Sequence, residues 1–399
     1  NLCDKFHLEN QFGVISSAAN LLISLLERCT NDQDEEFTLN FYVESENLSI
    51  QLISYQNLNE VYQLIRNSTE RLIFNDKRLM KPNIEELFAK ILEKRKPANL
   101  YQPILYTLSQ GGKRLRPRLV LMATEAFDGD MEKAVYPAAA FEMLHNFTLI
   151  HDDIMDDAPI RRGKPTVYKQ WNGNIAILSG DALANMALIE MLDTPMEPEN
   201  VVKLTKLFAQ TSVEICEGQQ YDLDFETCDH VSIDDYIYMI RFKTAVLLAA
   251  CLKAGAMISN APEEAQESIY QFGISIGLAF QLKDDLLDVY GDKAVFGKKI
   301  GGDIRENKKT YLYLRALEDA DEFSRNELLR LFSSTDFDEE EKFQAVSAIF
   351  NKLKIKEKTE NKIEELVQRA FIELDKIQIS DSKKKIFKDL AVELSRRIK

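Results

Sequence analysis

The chain runs to 399 residues, 45% hydrophobic and 29% charged, with 65 acidic against 50 basic side chains and a formal net charge of −15. That is enough for one large domain or two ordinary ones with a real core, and the acidity argues against a nucleic-acid binder or a protein held on an anionic membrane surface. Scarce glycine (15) and proline (10) favour helix. In chain order, residues 1–83 read differently from the rest. "FGVISSAANLLISLLERC" has a helical pattern, "EFTLNFYVESENLSIQLISY" alternates apolar and polar residues around a short polar turn as a β-hairpin does, and "NEVYQLIRNSTERLIF" is helical again. "NDKRLMKPN", with Pro82 as its breaker, makes a linker.

This small α/β appendage faintly resembles part of a histidine-kinase-type ATPase domain. Gly13 is its single glycine, so it lacks a glycine-rich nucleotide loop. No chemistry is assigned to it, and a structural or partner-contacting role is expected. From Ile84 to Lys399 helical patterns dominate: "IEELFAKILEKR", "AVYPAAAFEMLHNFTLIHDDIM", "NIAILSGDALANMALIEML", "VVKLTKLFAQTSVEICEGQQYDL", "IDDYIYMIRFKTAVLLAACLKAGAMI", "EEAQESIYQFGISIGLAFQLKDDLLDVYG" and "TYLYLRALEDA". Several are apolar most of the way round, as in the middle of a large bundle, so the fold class is mainly α. The tail segments "IKEKTENKIEELVQRAFIELDKI" and "SKKKIFKDLAVELSRRIK" are amphipathic and are expected on the outside. The longest apolar run, "AVLLAACLKAGAMI" from Ala245, is too short to span a bilayer and contains Lys253, so no membrane span is expected. The cysteines, Cys3, Cys29, Cys216, Cys228 and Cys251, are scattered without a CxxC pair, which reads as reduced thiols in a cytoplasmic protein.

"HDDIMDD" carries Asp152, Asp153, Asp156 and Asp157, and its DDxxD spacing returns as "DDLLD" at Asp284, Asp285 and Asp288. On a helix, carboxylates at i and i+4 repel by a few tenths of a kcal/mol, about 0.2–0.5, unless a cation sits between them. Hard oxygen ligands without His or Cys select Mg²⁺ or Mn²⁺. Mg²⁺ takes one or two protein carboxylates and completes its shell with water and substrate phosphates, so two such motifs on facing helices would hold a polyphosphate between them. A lone DDxxD is more often a solvated helix end. Here both copies are embedded in apolar sequence, "TLIHDDIM" and "AFQLKDDLLDVY", which reverses those odds. "GGKRLRPR" adds Lys113, Arg114, Arg116 and Arg118 after a Gly-Gly turn, and Arg161–Arg162 follow the first acidic motif. In so acidic a chain these suit phosphate oxygens, which arginine binds in a forked, bidentate way. His145, Lys243–Thr244, Gln281 and Lys298 also interrupt apolar stretches; singly each is an ordinary core or rim residue, and together they could line one polar pocket mouth.

The ordered set "GGKRLRP", "HDDIMDDAPIRRG", "GDALA", "EGQQYDL", "FKT", "FQLKDDLLD" and "FGKKIGGD" resembles the trans-isoprenyl diphosphate synthases (polyprenyl synthases), from about Ile84 to Lys399. The resemblance implies an all-helical bundle around a central cavity, a homodimer, and a Mg²⁺-dependent condensation of isopentenyl diphosphate with an allylic diphosphate. It implies three Mg²⁺ ions per site, with Mn²⁺ as a substitute: Asp152 and Asp156 holding two, supported by Asp153, and Asp284 a third with Asp285 and Asp288 in its shell. Arg161, Lys243 and Lys298 would contact the allylic diphosphate. Lys113, Arg116, His145 and Arg162 would hold that of isopentenyl diphosphate. Thr244, Gln219 and Gln281 would lie near the reacting carbons, Lys308 near the third metal, and the terminal "RRIK" would close over the isopentenyl site. The appendage has no counterpart in the family.

If the helix bearing Asp152 runs back through "EMLHNFTLI", Thr148 lies one turn below it, Phe147 beside that, and Leu144 two turns below, as the floor of a tunnel. In similar enzymes an aromatic residue at the Phe147 position stops growth early. Thr148 is small, unlike the paired aromatics of many farnesyl synthases, so geranylgeranyl diphosphate is expected first and farnesyl diphosphate second. The alternatives are a class I terpene cyclase, whose second metal motif is usually an Asn/Ser/Glu pattern, and a non-catalytic regulatory subunit, which usually loses metal aspartates. Asp157 lies outside DDxxD, with helix termination before Pro159 as its expected role.

Overall fold

The alternating stretch forms an antiparallel hairpin: β1 (Thr38–Glu44) pairs with β2 (Asn47–Ile53) in a register from Thr38↔Ile53 to Glu44↔Asn47. The computed structural model describes these strands and residues 84–92, 95–228, 230–291, 300–333 and 338–395. The helices and linker expected elsewhere in residues 1–83 lie outside the described residues. The chain separates into two compact units, Asn1–Asp76 and Lys77–Lys399.

The second unit is a helical bundle. In order it contains α1 (Ile84–Leu92), α2 (Ala98–Ser109), α3 (Leu115–Ala126), α4 (Met131–Met155), a two-residue ribbon of β3 (Ile160–Arg161) and β4 (Lys164–Pro165), α5 (Val167–Gln170), α6 (Gly173–Leu192) and α7 (Pro198–Thr227). Then come α8 (Ile233–Ile240), a π-helical turn (Arg241–Ala245), α9 (Val246–Ile258), α10 (Glu263–Tyr290), α11 (Gly302–Arg305), α12 (Tyr311–Asp319), α13 (Glu322–Ser333), α14 (Glu339–Lys352), α15 (Ile355–Asp375) and α16 (Asp381–Ser395). Helix α9 is apolar all round because it is central: Val246 through Leu252 are all buried between α3, α7 and α10. Each fully buried side chain such as Phe141, Leu144 or Phe272 contributes roughly 1.5–3 kcal/mol. Gly273 and Gly277 let α10 touch the backbone of Ala249 and Ala245, since a Cβ there would lie 2.4 and 2.6 Å from their Cα atoms.

Three features depart from expectation and a fourth, the tail, sharpens it. Helices α2 and α3 form despite Pro103 and Pro117; Pro117 sits in the first turn, where a missing N–H costs no hydrogen bond. The stretch "IDDYIYMIRFKTAVLLAACLKAGAMI" is not one α-helix but is widened at "RFKTA" into a π-turn. The tail is amphipathic as expected, and its apolar face is packed deeply. Leu366, Ala370 and Leu374 of α15 and Phe387 of α16 are buried against α10, with Phe387 edge-on to Phe272 at 5.8 Å. Finally, among the described residues α6 is long and apolar enough to cross a membrane, with mean hydropathy 1.6 over its most apolar window. A search for one uninterrupted apolar run passes over it because Asp181 interrupts the stretch.

Candidate active site

Helix α4 starts at Asp130, whose side chain accepts the Glu132 N–H at 3.0 Å, and ends with Asp156 as its C-terminal cap. Asp157 then turns left-handed (φ +47°) and accepts bonds from Tyr168 Oη at 2.6 Å and Lys169 Nζ at 3.1 Å. It therefore ends the helix and ties it to α5.

Both acidic motifs divide in the same way. The residue at i+1 lies about 100° round the helix from i and faces inward. Asp153 is 4% exposed and accepts Arg161 Nε at 2.7 Å. Asp285, also 4% exposed, accepts Gln281 Nε2 at 3.0 Å and Tyr236 Oη at 2.5 Å. The residues at i and i+4, Asp152 with Asp156 and Asp284 with Asp288, remain accessible. Burial, with Asp156 and Asp153 alongside, pushes the Asp152 carboxyl up against the opposing pull of Lys243 and Arg161. Asp288 is likewise raised by burial, although the Gly302 and Asp303 N–H groups at the start of α11 donate to it at 3.2 and 3.0 Å. Burial and Asp288 push Asp303 up to about 7. Burial also drives Asp285 well above the carboxylate range.

This donor set fits Mg²⁺. It is all carboxylate, and its members crowd one another, which a divalent cation would relieve. Among the described residues no three His, Cys, Asp or Glu side chains already form a closed metal cage.

The basic residues split into two groups. Arg114, left-handed at φ +46°, is structural: it donates to Glu142 at 2.7 Å and to the Leu108 carbonyl at 2.5 Å. Arg118 is a bidentate partner of Glu393 at 2.9 and 2.8 Å. Arg116, His145 and Arg162 are brought together, with Lys113 exposed nearby in the chain. Arg162 donates to the Gly111 carbonyl at 2.5 Å, and its guanidinium lies 3.1 Å from where a Cβ on Gly112 (φ +126°) would sit, so the turn requires glycine there. Arg116 Nε is buried without a hydrogen-bond partner. Burial, then Arg116, Arg162, Arg161 and Arg114, hold His145 well below its ordinary range, so this ring sits in a pocket dense with positive charge. Such a pocket attracts an anion.

Lys243 and Thr244 sit on the π-turn. Gly218 of α7 admits that turn, since a Cβ there would lie 2.2 Å from the Lys243 backbone N. Lys243 Nζ meets Asp222 Oδ2 at 2.5 Å, and Thr244 Oγ1 donates to Gln281 Oε1 at 3.0 Å. Lys308 pairs with Glu306 at 2.9 Å; burial opposes its charge, but Glu306, Asp303 and Asp156 raise its pKa, and its charge is felt at Asp288. Gln219 Nε2 lies 3.8 Å from Met155 Sδ. Leu144 is 1% exposed, while Phe147 and Thr148 are half-buried, with Thr148 Oγ1 donating to the His145 carbonyl at 2.8 Å. Lys298 and "RRIK" lie outside the described residues.

Residues 97–350 match the family model for polyprenyl synthetase. The chain belongs to the polyprenyl synthetase family, and it is a prenyltransferase. It is 40% identical over 236 residues to a geranylgeranyl diphosphate synthase of Methanosarcina mazei, covering 59% of this chain and 73% of that one. It is 39% identical over 249 residues to a geranylfarnesyl diphosphate synthase of Natronomonas pharaonis, covering 58% and 73%. A solved geranylgeranyl pyrophosphate synthase, 42% identical, superposes with a TM-score of 0.76 over 81% of this chain and 99% of its own. Another, from Corynebacterium glutamicum, was solved with isoprenyl diphosphate and magnesium; it is 26% identical with a TM-score of 0.71 over 82% and 100%.

Three site residues of this polyprenyl synthetase carry no role from the sequence alone: Asp222, Tyr236 and Asp303. Asp222 lies inside "EGQQYDL", one turn after Gln219, and Asp303 closes "FGKKIGGD", so both were within reach of the motifs. Tyr236, in apolar "YIYMI", gives no signal.

Proposed function

We propose that this polyprenyl synthetase condenses isopentenyl diphosphate head-to-tail (1'-4) with an allylic diphosphate, giving a short-chain all-trans prenyl diphosphate: geranylgeranyl diphosphate first, farnesyl diphosphate second. The observation that carries it is the pairing of two acidic motifs, each with accessible carboxylates at i and i+4 and an inward, hydrogen-bonded one at i+1, with a separate pocket that brings Arg116 and Arg162 to His145. Asp152, Asp156, Asp284 and Asp288 hold Mg²⁺, with Asp153 and Asp285 behind them. When bound, Mg²⁺ supplies the Lewis-acid charge that stabilises a departing diphosphate.

Arg161, Lys243 and Lys298 hold the allylic diphosphate, and their fixed charges favour ionisation of its C–O bond. Lys113, Arg116, His145 and Arg162 orient isopentenyl diphosphate against the allylic carbon. His145 offers a ring N–H to that diphosphate. Thr244 and Gln281 stand by the reacting carbons. Among the described residues no side chain is an obvious base, and the proton leaves to the released diphosphate. The apolar wall of α4 excludes water from the cation, and Phe147, Thr148 and Leu144 form the floor that ends growth.

The active form is a homodimer. Helices α6 and α7 pack together and expose Ile177, Leu178, Ile189, Leu192, Val202 and Val213, interrupted on α6 by Asp181 and Asn185. A charged, amide-bearing stripe suits a second protein surface better than lipid. The scattered, free Cys216, Cys228 and Cys251 fit a cytoplasmic setting. Asp152→Asn and Asp284→Asn should each lower turnover by about 100-fold or more while thermal unfolding stays near that of the parent. Near-normal rates would refute the metal roles.

A further inference from the structure

His151 follows Phe147 by one helical turn and precedes the first metal-motif aspartate, and neither the acidic motif nor the arginine pocket uses it. Its ring stands edge-on to Phe147, with centroids 4.8 Å apart and an interplanar angle of 68°. On its other side it meets α6: Nε2 lies 3.2 Å from the Ile177 carbonyl oxygen and 3.8 Å from Asp181 Oδ1. The fit against α6 is close, for a Cβ on Gly180 would sit 2.3 Å from Nε2. The imidazole is therefore a wedge between the backbone of one helix and the aromatic ring of another. A half-buried phenylalanine on a helix chooses between two χ1 rotamers, and a wedge on one side removes part of that choice.

We infer that His151 is a specificity-determining buttress: seated on α6 at Gly180, it fixes the Phe147 ring and so sets the depth at which the growing chain stops. This rests on Phe147 being the tunnel floor. It adds that the floor's position is set by α6 through His151, and that Gly180 is required for the seat.

The test is the product-length distribution, which is read independently of total turnover and so survives any loss of rate from disturbing neighbouring Asp152. The variants are His151→Ala, Gly180→Ala, Phe147→Ala and the double variant His151→Ala/Phe147→Ala, each assayed in the full chain with Mg²⁺, isopentenyl diphosphate and an allylic primer. His151→Ala should lengthen the main product by at least one isoprene unit. Gly180→Ala, which must displace the ring, should also change the distribution. The double variant should match Phe147→Ala alone, because a buttress with nothing to hold has no effect. If Phe147→Ala lengthens the products but His151→Ala and Gly180→Ala do not, the buttress is wrong and the floor stands. Longer products in the double variant than in either single one make His151 an independent wall, which also overturns the inference. If Phe147→Ala changes nothing, the floor falls and this inference with it. Should His151→Ala fail to fold, an unchanged distribution in Gly180→Ala decides against the buttress.

Discussion

Asp285 shows how a carboxylate inside a metal motif can serve a neighbouring amide. Both its oxygens are occupied, one by Gln281 and one by Tyr236, and Gln281 in turn accepts from Thr244. The chain Tyr236–Asp285–Gln281–Thr244 fixes the orientation of the Gln281 amide, its Nε2 toward Asp285 and its Oε1 toward Thr244. Tyr236→Phe removes one donor and leaves a buried carboxyl short of a partner, at a cost of about 1–3 kcal/mol. The expected outcome is a lower unfolding temperature together with a several-fold loss of kcat and little change in KM for either substrate. A variant that unfolds earlier but keeps full kcat would show that Tyr236 only supports the core. The carboxylates of this network were legible in the sequence because DDxxD recurs in apolar surroundings. Tyr236 was not, because its partner lies 49 positions away and no local pattern connects them. Asp157 was legible only as a helix stop; its bonds to Tyr168 and Lys169 belong to the turn that follows.

At the scale of elements, the π-turn at Arg241–Ala245 matters most, since it carries Lys243 and Thr244. Within it Phe242 and Ala245 keep a helical i, i+3 spacing between α8 and α9, so hydrophobic pattern alone does not distinguish the turn from α-helix. The one hint is on another helix: Gly218, whose missing side chain lets α7 approach the Lys243 backbone. Gly218→Ala forces a methyl group to within 2.2 Å of that nitrogen, and overpacking of this kind costs about 1–3 kcal/mol. Thermal unfolding should move down and kcat should fall, because the displaced backbone carries Lys243 with it. Unchanged stability and rate would mean that the turn has room the geometry does not show. Helices α2 and α3 were hidden for a different reason: Pro103 and Pro117 are strong breaker signals, and while Pro117 is excused by its place in the first turn, Pro103 sits inside α2 at the cost of one helical hydrogen bond.

Across the whole molecule, every proposed site residue falls between Lys113 and Lys308, within the unit Lys77–Lys399. A solved relative has 99% of its length matched by 81% of this chain, so a fifth of the chain lies beyond the shared fold. The bundle was readable from helical periodicity. The exposed apolar face of α6 and α7 was not, because Leu178 (60%) and Val202 (65%) look in sequence like any other apolar position. If the proposed homodimer holds, sedimentation should find two copies of the parent chain, and Leu178→Glu, which places charge on this exposed apolar face, should shift the equilibrium toward single copies. A parent that sediments as one copy would remove the homodimer.

The most direct measurement is the product of the full chain given Mg²⁺, isopentenyl diphosphate and farnesyl diphosphate, sized by mass. The expected result is a linear geranylgeranyl diphosphate, with no product when Mg²⁺ is removed by a chelator. A cyclic hydrocarbon, or no elongation of any allylic primer, would contradict the reading of the two acidic motifs and the arginine pocket as one condensing site.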